Sequence, residues 1–374
     1  MPILYLDNAA STKMARDVIT AYYSKLDKYY NPESMYASAF KLKQDIEDAR
    51  ADIAEMIGAD SPDEIYFTSG GCEGNSWALF QRSSIASILE HDSIVSNVVF
   101  GAKSDGTADL DDLKAKIGRM PKDKKYQGVV SLQYVNNELG TIQPIQEAAE
   151  IAHSNGKLFH SDFVQALPHM IVNVKDLGVD MMTASAHKFY GAKGVGFVYI
   201  KKGIDMPVMI HGGSQEHGLR GGTSNYAGII AMRIALRYVH DNLTTIDTRT
   251  SFNTLKIYNA LSKIDGVHFN IDPCEQNCIN SLLSVRIDDV AGSDFVVYMS
   301  SNDICLSTGS ACHSGNAKPS KVLKAIGLTD KEALSTVRIS LSVNNSNRYI
   351  DIFCEELPNY IETARKMNKR NKKK

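Results

Sequence analysis

No apolar stretch in the 374 residues is long enough to cross a bilayer, so no membrane-spanning helix is expected. An excess of one charge is missing too: 41 basic residues face 43 acidic ones, which gives no electrostatic reason to expect direct nucleic-acid binding. The first residues, Met1-Pro2-Ile3-Leu4-Tyr5-Leu6-Asp7, lack the basic start and long apolar core of a signal peptide. The expected compartment is therefore the cytoplasm, where cysteines stay reduced. Cysteine is sparse and scattered, at positions 72, 274, 278, 305, 312 and 354. Cys274 and Cys278 lie close together but have no second pair of ligands, so no metal site is expected. There is no internal repeat, which excludes a solenoid. What remains is ordinary for a globular protein: 43% hydrophobic and 22% charged residues. A chain of this length buries a large core without disulfide or metal staples.

The first half alternates strand and helix signals. Gln44 to Ile57 carries Ile46, Ala49, Ile53, Ala54 and Ile57 at helical spacing. Glu64 to Phe67 reads as a short strand running into a glycine-rich turn, and Val129 to Val135 as a buried strand. Gln146 to Asn155 reads as a helix stopped by Gly156, with short strands at Lys157–His160 and Met181–Ala184. This β–α–β order predicts an α/β fold, a mostly parallel sheet covered by helices on both faces. After about residue 250 shorter strands, Leu282–Ile287 and Val337–Leu341, mix with helices, which predicts a smaller α+β domain. The expected division is 13–250 for the large domain, with 1–12 and 251–374 forming the small one. The basic segment Lys366–Lys374 reads as a frayed, solvated tail.

Several segments could carry chemistry. Ser185-Ala186-His187-Lys188-Phe189-Tyr190-Gly191 follows a strand, so Lys188 belongs at a strand's C-terminal edge, where open α/β sheets bind ligands. A lysine there suits Schiff-base chemistry if partly desolvated; an exposed loop lysine is the alternative. Asp162 follows another strand and could pair with a protonated ring nitrogen, or merely cap a helix. Gln165 lies about one turn further on. Thr68-Ser69-Gly70-Gly71-Cys72-Glu73-Gly74-Asn75 joins strand to helix, and its backbone N–H groups suit a phosphate, although many such turns only reverse the chain. His91 could stack on a ring and move protons, or be a surface histidine. Asn136 and Asn137 end a strand, and the glycine-dense 211–223 loop ends at Thr223. Ser307 to Ser320 is small, polar and glycine-rich, a loop that presents one thiol, Cys312.

Together these segments resemble the cysteine desulfurases of the group with a long cysteine loop, within the class-V aminotransferase set of fold-type-I pyridoxal-phosphate (PLP) enzymes. The resemblance runs from Tyr5-Leu6-Asp7-Asn8-Ala9-Ala10-Ser11-Thr12 to Val337-Arg338-Ile339-Ser340. It implies a large domain with a mostly parallel mixed sheet, and PLP as cofactor. It implies that L-cysteine becomes L-alanine while Cys312 takes the sulfur as a persulfide. Lys188 would hold the cofactor covalently, Asp162 its ring nitrogen, with Gln165 and Asn137 near the phenolic oxygen and His91 on the ring. Gly71, Cys72, Ser185 and His187 would contact the phosphate, with Thr223 reaching it from the second subunit of a homodimer. Arg338 and Asn8 would bind the substrate. The resemblance further implies a sulfur-acceptor protein, either an iron–sulfur scaffold or a tRNA- or DNA-thiolation partner. A selenocysteine lyase or another class-V aminotransferase is the alternative. Cys72 stands where the family commonly has threonine, Ser214 where a third glycine is common, and Lys318 precedes Pro319 in place of an acid.

Overall fold

A computed structural model describes residues 3–123, 125–309 and 318–371, with side chains to Lys369. Along the chain come β1 (Leu4–Tyr5), α1 (Arg16–Lys25), α2 (Ala37–Ile57), β2 (Ile65–Thr68), α3 (Gly71–Leu79), β3 (Arg82–Ser87), β4 (Val98–Phe100) and α4 (Leu110–Ile117). Next are β5 (Tyr126–Ser131), α5 (Ile145–Ser154), β6 (Leu158–Asp162), β7 (Met181–Ser185), β8 (Gly196–Ile200) and α6 (Tyr226–Leu261). The last part holds β9 (Val267–Phe269), β10 (Leu282–Ile287), α7 (Gly292–Ser300), β11 (Ile304–Cys305), α8 (Lys321–Ala325), α9 (Asp330–Leu334), β12 (Thr336–Ser340) and α10 (Asn347–Asn371).

Seven strands form one sheet in the order β2-β8-β7-β6-β5-β3-β4. Only β8 runs against its neighbours. The sheet is therefore mixed and mostly parallel, as expected for this α/β class. Its central strands β5, β6 and β7 are buried almost throughout and are mostly apolar or small, while buried His160 of β6 is held between the hydroxyls of Ser131 and Thr183. The C-terminal ends of β2, β3, β5, β6 and β7 all face one edge, and the loops leaving that edge carry the candidate residues. A second sheet, β12-β10-β9, and the parallel pair β1-β11 belong to the smaller unit.

Two of the apolar clusters centre on these two sheets, with Leu282 of β10 joining the larger one. One gathers Ile53, Phe67, Val130, Phe159 and Phe197 around the large sheet. The other gathers Leu4, Leu6, Phe295, Val337, Ile339 and Phe353 around the small one. The 36-residue α6 contributes to both, with Met232, Ala235 and Ile246 in the first and Ile257 and Leu261 in the second. Between those anchor points its hydroxyls bond back along the helix: Thr248 to Thr244 O, Thr250 to Ile246 O, Ser251 to Asp247 O and Thr254 to Thr250 O.

Three expectations about elements need correction. The helix read from Gln44 starts at Ala37: its buried stripe extends back through Leu42 and Ala39, two positions hidden in the sequence by the exposed Phe40, Lys41 and Lys43 around them. The strand read as Val129–Val135 is Tyr126–Ser131. The Oδ1 of Asn136 accepts the N–H groups of Glu138 and Leu139, which draws that backbone into a turn. The basic tail is helical to Asn371. Within it Asn368 donates to Asp289 O, and Arg365 just before it donates to Asp265 O and Asp288 O, while Lys366 stays exposed. Positive residues also suit the negative end of a helix. Among the described residues no helix is long and apolar enough to cross a membrane.

Candidate active site

At the sheet's C-terminal edge lies a chamber of about 890 Å³. After β7 a single tight turn, Ala186–Lys188, carries the lysine. Fully buried Ala186 and Phe189 pin the turn on either side, so Lys188 projects from the edge into the chamber. Its Nζ donates to Ala9 O at 2.6 Å and Ala10 O at 3.0 Å. Burial, helped by the Arg338 charge, pulls its ammonium down to about 8. A minor but usable neutral-amine fraction is thus present near physiological pH, as a nucleophilic or proton-shuttling lysine needs. Neighbouring His187 is pulled down to about 4 by burial and then by Lys188, so it is a neutral ring.

Asp162 is the last residue of β6, in register with Thr183 of β7. It is buried, and burial raises its carboxyl above the ordinary range. Two donors oppose that: Asn75 Nδ2 reaches Oδ2 at 2.6 Å and Val164 N–H reaches Oδ1 at 2.8 Å. A buried carboxylate so held is poised to pair with a cationic ligand group. Beside it Glu90 is pushed up to about 8, by burial and then by Asp162. Its Oε1 accepts from Ser131 Oγ at 2.8 Å.

The turn between β2 and α3 opens a helix whose first N–H groups, at Gly71 and Cys72, have no carbonyl behind them within the helix. Gly70 has φ 147°. A Cβ on Gly196 of β8 would fall on Ala184 O and on Gly70, so the turn lies backbone to backbone against the sheet. Arg220 clasps Glu73 with two bonds, Nε to Oε1 at 2.7 Å and Nη2 to Oε2 at 3.1 Å. That pairing neutralises the one acidic group in the first turn. Gly71, Cys72, Ser185 and His187 all line the chamber there.

Arg338, from the middle of β12, enters from the small unit. Its Nη1 donates to Asn137 O and its Nη2 to Asp7 Oδ1, both at 2.7 Å. Its buried Nε has no partner among the described residues. A planar cation with hydrogens left over fits a carboxylate.

The structure thus brings together Lys188, Asp162, His91, Gln165, Asn137 and Arg338, together with the turn at 71–72 and with Ser185 and His187. Gln165 Nε2 donates to Ala9 O at 2.7 Å, the same carbonyl that Lys188 uses. Asn8 is placed differently: its amide donates to Ser340 O at 2.9 Å and Tyr5 O at 3.2 Å, tying the N-terminal segment to β12 outside the chamber. Thr223 is exposed and does not line the chamber of its own chain. Cys312 lies outside the described residues. Sequence reasoning assigned no role to Asn75, Ser93 or Glu90. Asn75 sits one helical turn beyond Gly71, on the same face of α3, and that spacing was the available signal. Nothing local announced Asp7 as the partner of Arg338.

The model of the family described as aminotransferase class-V matches residues 4–353. A cysteine desulfurase IscS of Dictyoglomus turgidum is 36% identical, over 97% of this chain and 95% of that one. A protein of the same name from Methanosarcina thermophila is 32% identical, over 98% and 93%. Among solved structures, a NifS-like protein from Rickettsia africae superposes with a TM-score of 0.86 at 28% identity, covering 96% of this chain and 99% of that one. SspA in complex with cysteine gives 0.76 at 28% identity, over 90% and 98%. On this evidence of shared sequence and fold along nearly its whole length, the chain belongs to the class-V aminotransferases, among their cysteine desulfurases.

Proposed function

We infer that the chain is a PLP-dependent cysteine desulfurase that turns L-cysteine into L-alanine and leaves the sulfur as a persulfide on Cys312. The observation that carries the reading is the meeting of Lys188, Asp162 and Arg338 in one chamber. The residues present fit the cofactor. The helix-opening N–H groups at Gly71 and Cys72, with Ser185 and His187, suit its phosphate. The Asp162 carboxylate suits a cationic ring nitrogen, and Asn137 and Gln165 suit the phenolic oxygen. PLP, when bound, supplies an electron sink that loosens the bonds at the substrate's α-carbon.

The protein's own groups do the rest. Arg338 grips the substrate carboxylate with its free hydrogens and so fixes which bond faces Lys188. Lys188, neutral for much of the time near pH 8, takes a proton and returns it. The buried Asp162 keeps its positive partner charged. Cys312 attacks the substrate sulfur as a thiolate. A C–S bond breaks and an S–S bond forms, the carbon product gains the hydrogen, and no outside oxidant is needed.

The finer parts of the reading are a homodimer, with Thr223 reaching the partner's phosphate site, and a cytoplasmic location. A sulfur-acceptor protein completes it, with iron–sulfur cluster assembly supported by the names of the relatives. The test is the purified, PLP-loaded chain given L-cysteine. Alanine and enzyme-bound sulfane sulfur should form one for one in a single turnover, with the extra sulfur mapped to Cys312. A keto acid in place of alanine, or turnover of selenocysteine alone, would overturn it.

A further inference from the structure

One side chain touches groups on two sides of the chamber. Asn75 is buried in α3 and carries two amide hydrogens. One goes to Asp162 Oδ2 at 2.6 Å and the other to Ser93 Oγ at 3.0 Å. The opposite amide orientation would set its oxygen against the Asp162 carboxylate, so the nitrogen assignment follows from charge.

Ser93 passes the contact on. Its Oγ lies 2.8 Å from His91 Nδ1, and its backbone N–H donates to the same nitrogen at 3.1 Å. A backbone N–H can only donate, so Nδ1 is the bare, accepting nitrogen. The neutral ring then carries its hydrogen on Nε2. Ser93 Oγ already accepts from Asn75, so its own hydrogen is free to turn to Nδ1. Every hydrogen in the series points one way, from Asn75 through Ser93 to His91, and from Asn75 to Asp162. His91 Nε2 has no protein partner among the described residues, and His91 lines the chamber.

We propose, on the footing of the desulfurase reading above, that Asn75 is a positioning residue that sets Asp162 and, through Ser93, the tautomer of His91, so that neutral His91 meets the chamber's occupant as a hydrogen donor at Nε2. The group that holds the ring-nitrogen carboxylate thereby also decides which way the histidine faces in proton transfer. One amide keeps the two in step.

The test reads the histidine itself rather than turnover. The full-length chain is labelled with nitrogen-15 in histidine and examined with PLP bound and after its removal, and the His91 signals are assigned by their loss in His91→Gln. The parent should show a bare Nδ1 and a hydrogen-bearing Nε2. Ser93→Ala removes one of two donors to Nδ1, and the proportion of Nδ1–H ring should rise roughly two- to twelvefold, the worth of one neutral hydrogen bond. Ser93→Thr restores the hydroxyl and should restore the parent spectrum. Asn75→Ala should shift His91 in the same direction although it does not touch the ring. If that variant does not fold, Asn75→Ser, which has one hydrogen for two acceptors, takes its place with the same expectation. His91 signals that stay put in Ser93→Ala, or in a folded Asn75 variant, overturn the proposal. These spectra do not depend on cysteine turnover. A chain inactive on cysteine that shows the shifts contradicts only the desulfurase reading, while an active desulfurase without them contradicts only the role of Asn75.

Discussion

Arg50 and Arg338 are equally buried, each 4% exposed, yet they are held in opposite ways. Arg50, on α2, uses all three nitrogens. Nε donates to Glu47, Nη1 to Ile65 O and Glu216 Oε2, and Nη2 to Glu216 Oε1, while the guanidinium lies 4.6 Å over the Phe67 ring. Glu216 in turn accepts the Phe67 N–H at 2.9 Å. The pair pins a segment in which Glu216 and His217 have φ of 46° and 56°, a region that non-glycine residues rarely adopt. Arg338 has one carboxylate and one carbonyl, and a nitrogen left over. A buried cation whose hydrogens are all used holds the fold; one with hydrogens to spare holds something else. The spare nitrogen is not sufficient by itself, since Arg82 and Arg286 also keep an unpartnered Nε. The distinction of Arg338 is that it faces the same chamber as Lys188 and Asp162.

This contrast yields four expectations, from the largest effect to the smallest. Lys188→Met should abolish alanine formation and the visible absorbance of bound PLP. The same change should stabilise the cofactor-free chain at pH 7, because Lys188 is a site group whose burial strains the fold. The sign follows from its depressed pKa. Below about pH 8 the lysine is protonated in both states, and the folded chain carries the full penalty. Between about 8 and the ordinary 10.5 only the unfolded chain holds the proton, so parent stability rises with pH and the variant's advantage shrinks. Denaturant melts at pH 7 and pH 10 measure this, and an advantage that widened with pH would break the contrast.

Arg50→Ala leaves Glu216 buried and unpaired. It should lower unfolding free energy by about 3–5 kcal/mol, while the folded fraction keeps its turnover number. Urea titration alongside active-site counting separates the two. Arg338→Gln should lean the other way. The kcat/KM for cysteine falls roughly a hundredfold or more, from the loss of two charge-assisted bonds, with a smaller drop in the melting midpoint than Arg50→Ala because its partner Asp7 is partly exposed. If both variants lost stability equally, the distinction between the two arginines would fail. Asp7→Asn keeps the shape but weakens the hold on Arg338, and should raise KM by roughly tenfold or less with kcat nearly unchanged.

The centre of the large sheet was legible because β5, β6 and β7 are almost wholly buried and carry short apolar runs, whereas the half-exposed edge strand β4 and the strand β8 went unread. Lys188 and Asp162 were legible because each follows such a run directly. The start of α2 was not, since the exposed Phe40, Lys41 and Lys43 hide the sparse buried positions Ala39 and Leu42 beside them. Nor was the long α10, whose charged end looks like a solvated tail until Arg365 and Asn368 meet the carbonyls of Asp265, Asp288 and Asp289. Asp7 and Arg338 are 331 residues apart, and only the folded chain makes them neighbours. Ser93 looks like any polar loop residue until His91 turns its Nδ1 toward it.

The hydroxyl-rich middle of α6 has a mechanical consequence. A straight helix of 36 residues is a rod of about 54 Å, clamped in one core near its start and in the other near its end. A tilt of ten degrees at one clamp would displace the far end by about 9 Å over that length. Thr and Ser hydroxyls that bond to the carbonyl four residues back bend helices and loosen their backbone bonds. In α6 the hydroxyl donors run from Thr248 to Thr254, after Ile246 of the first core and before Ile257 of the second. Thr250, Asn253 and Thr254 are themselves buried, and Asn253 donates to Asn345 O and Asn347 Oδ1, so a bend of the rod here carries its packed neighbours with it. Arg338 belongs to the sheet at the far end of that rod, and its bond to Asn137 O is the tie that closes the span across the chamber.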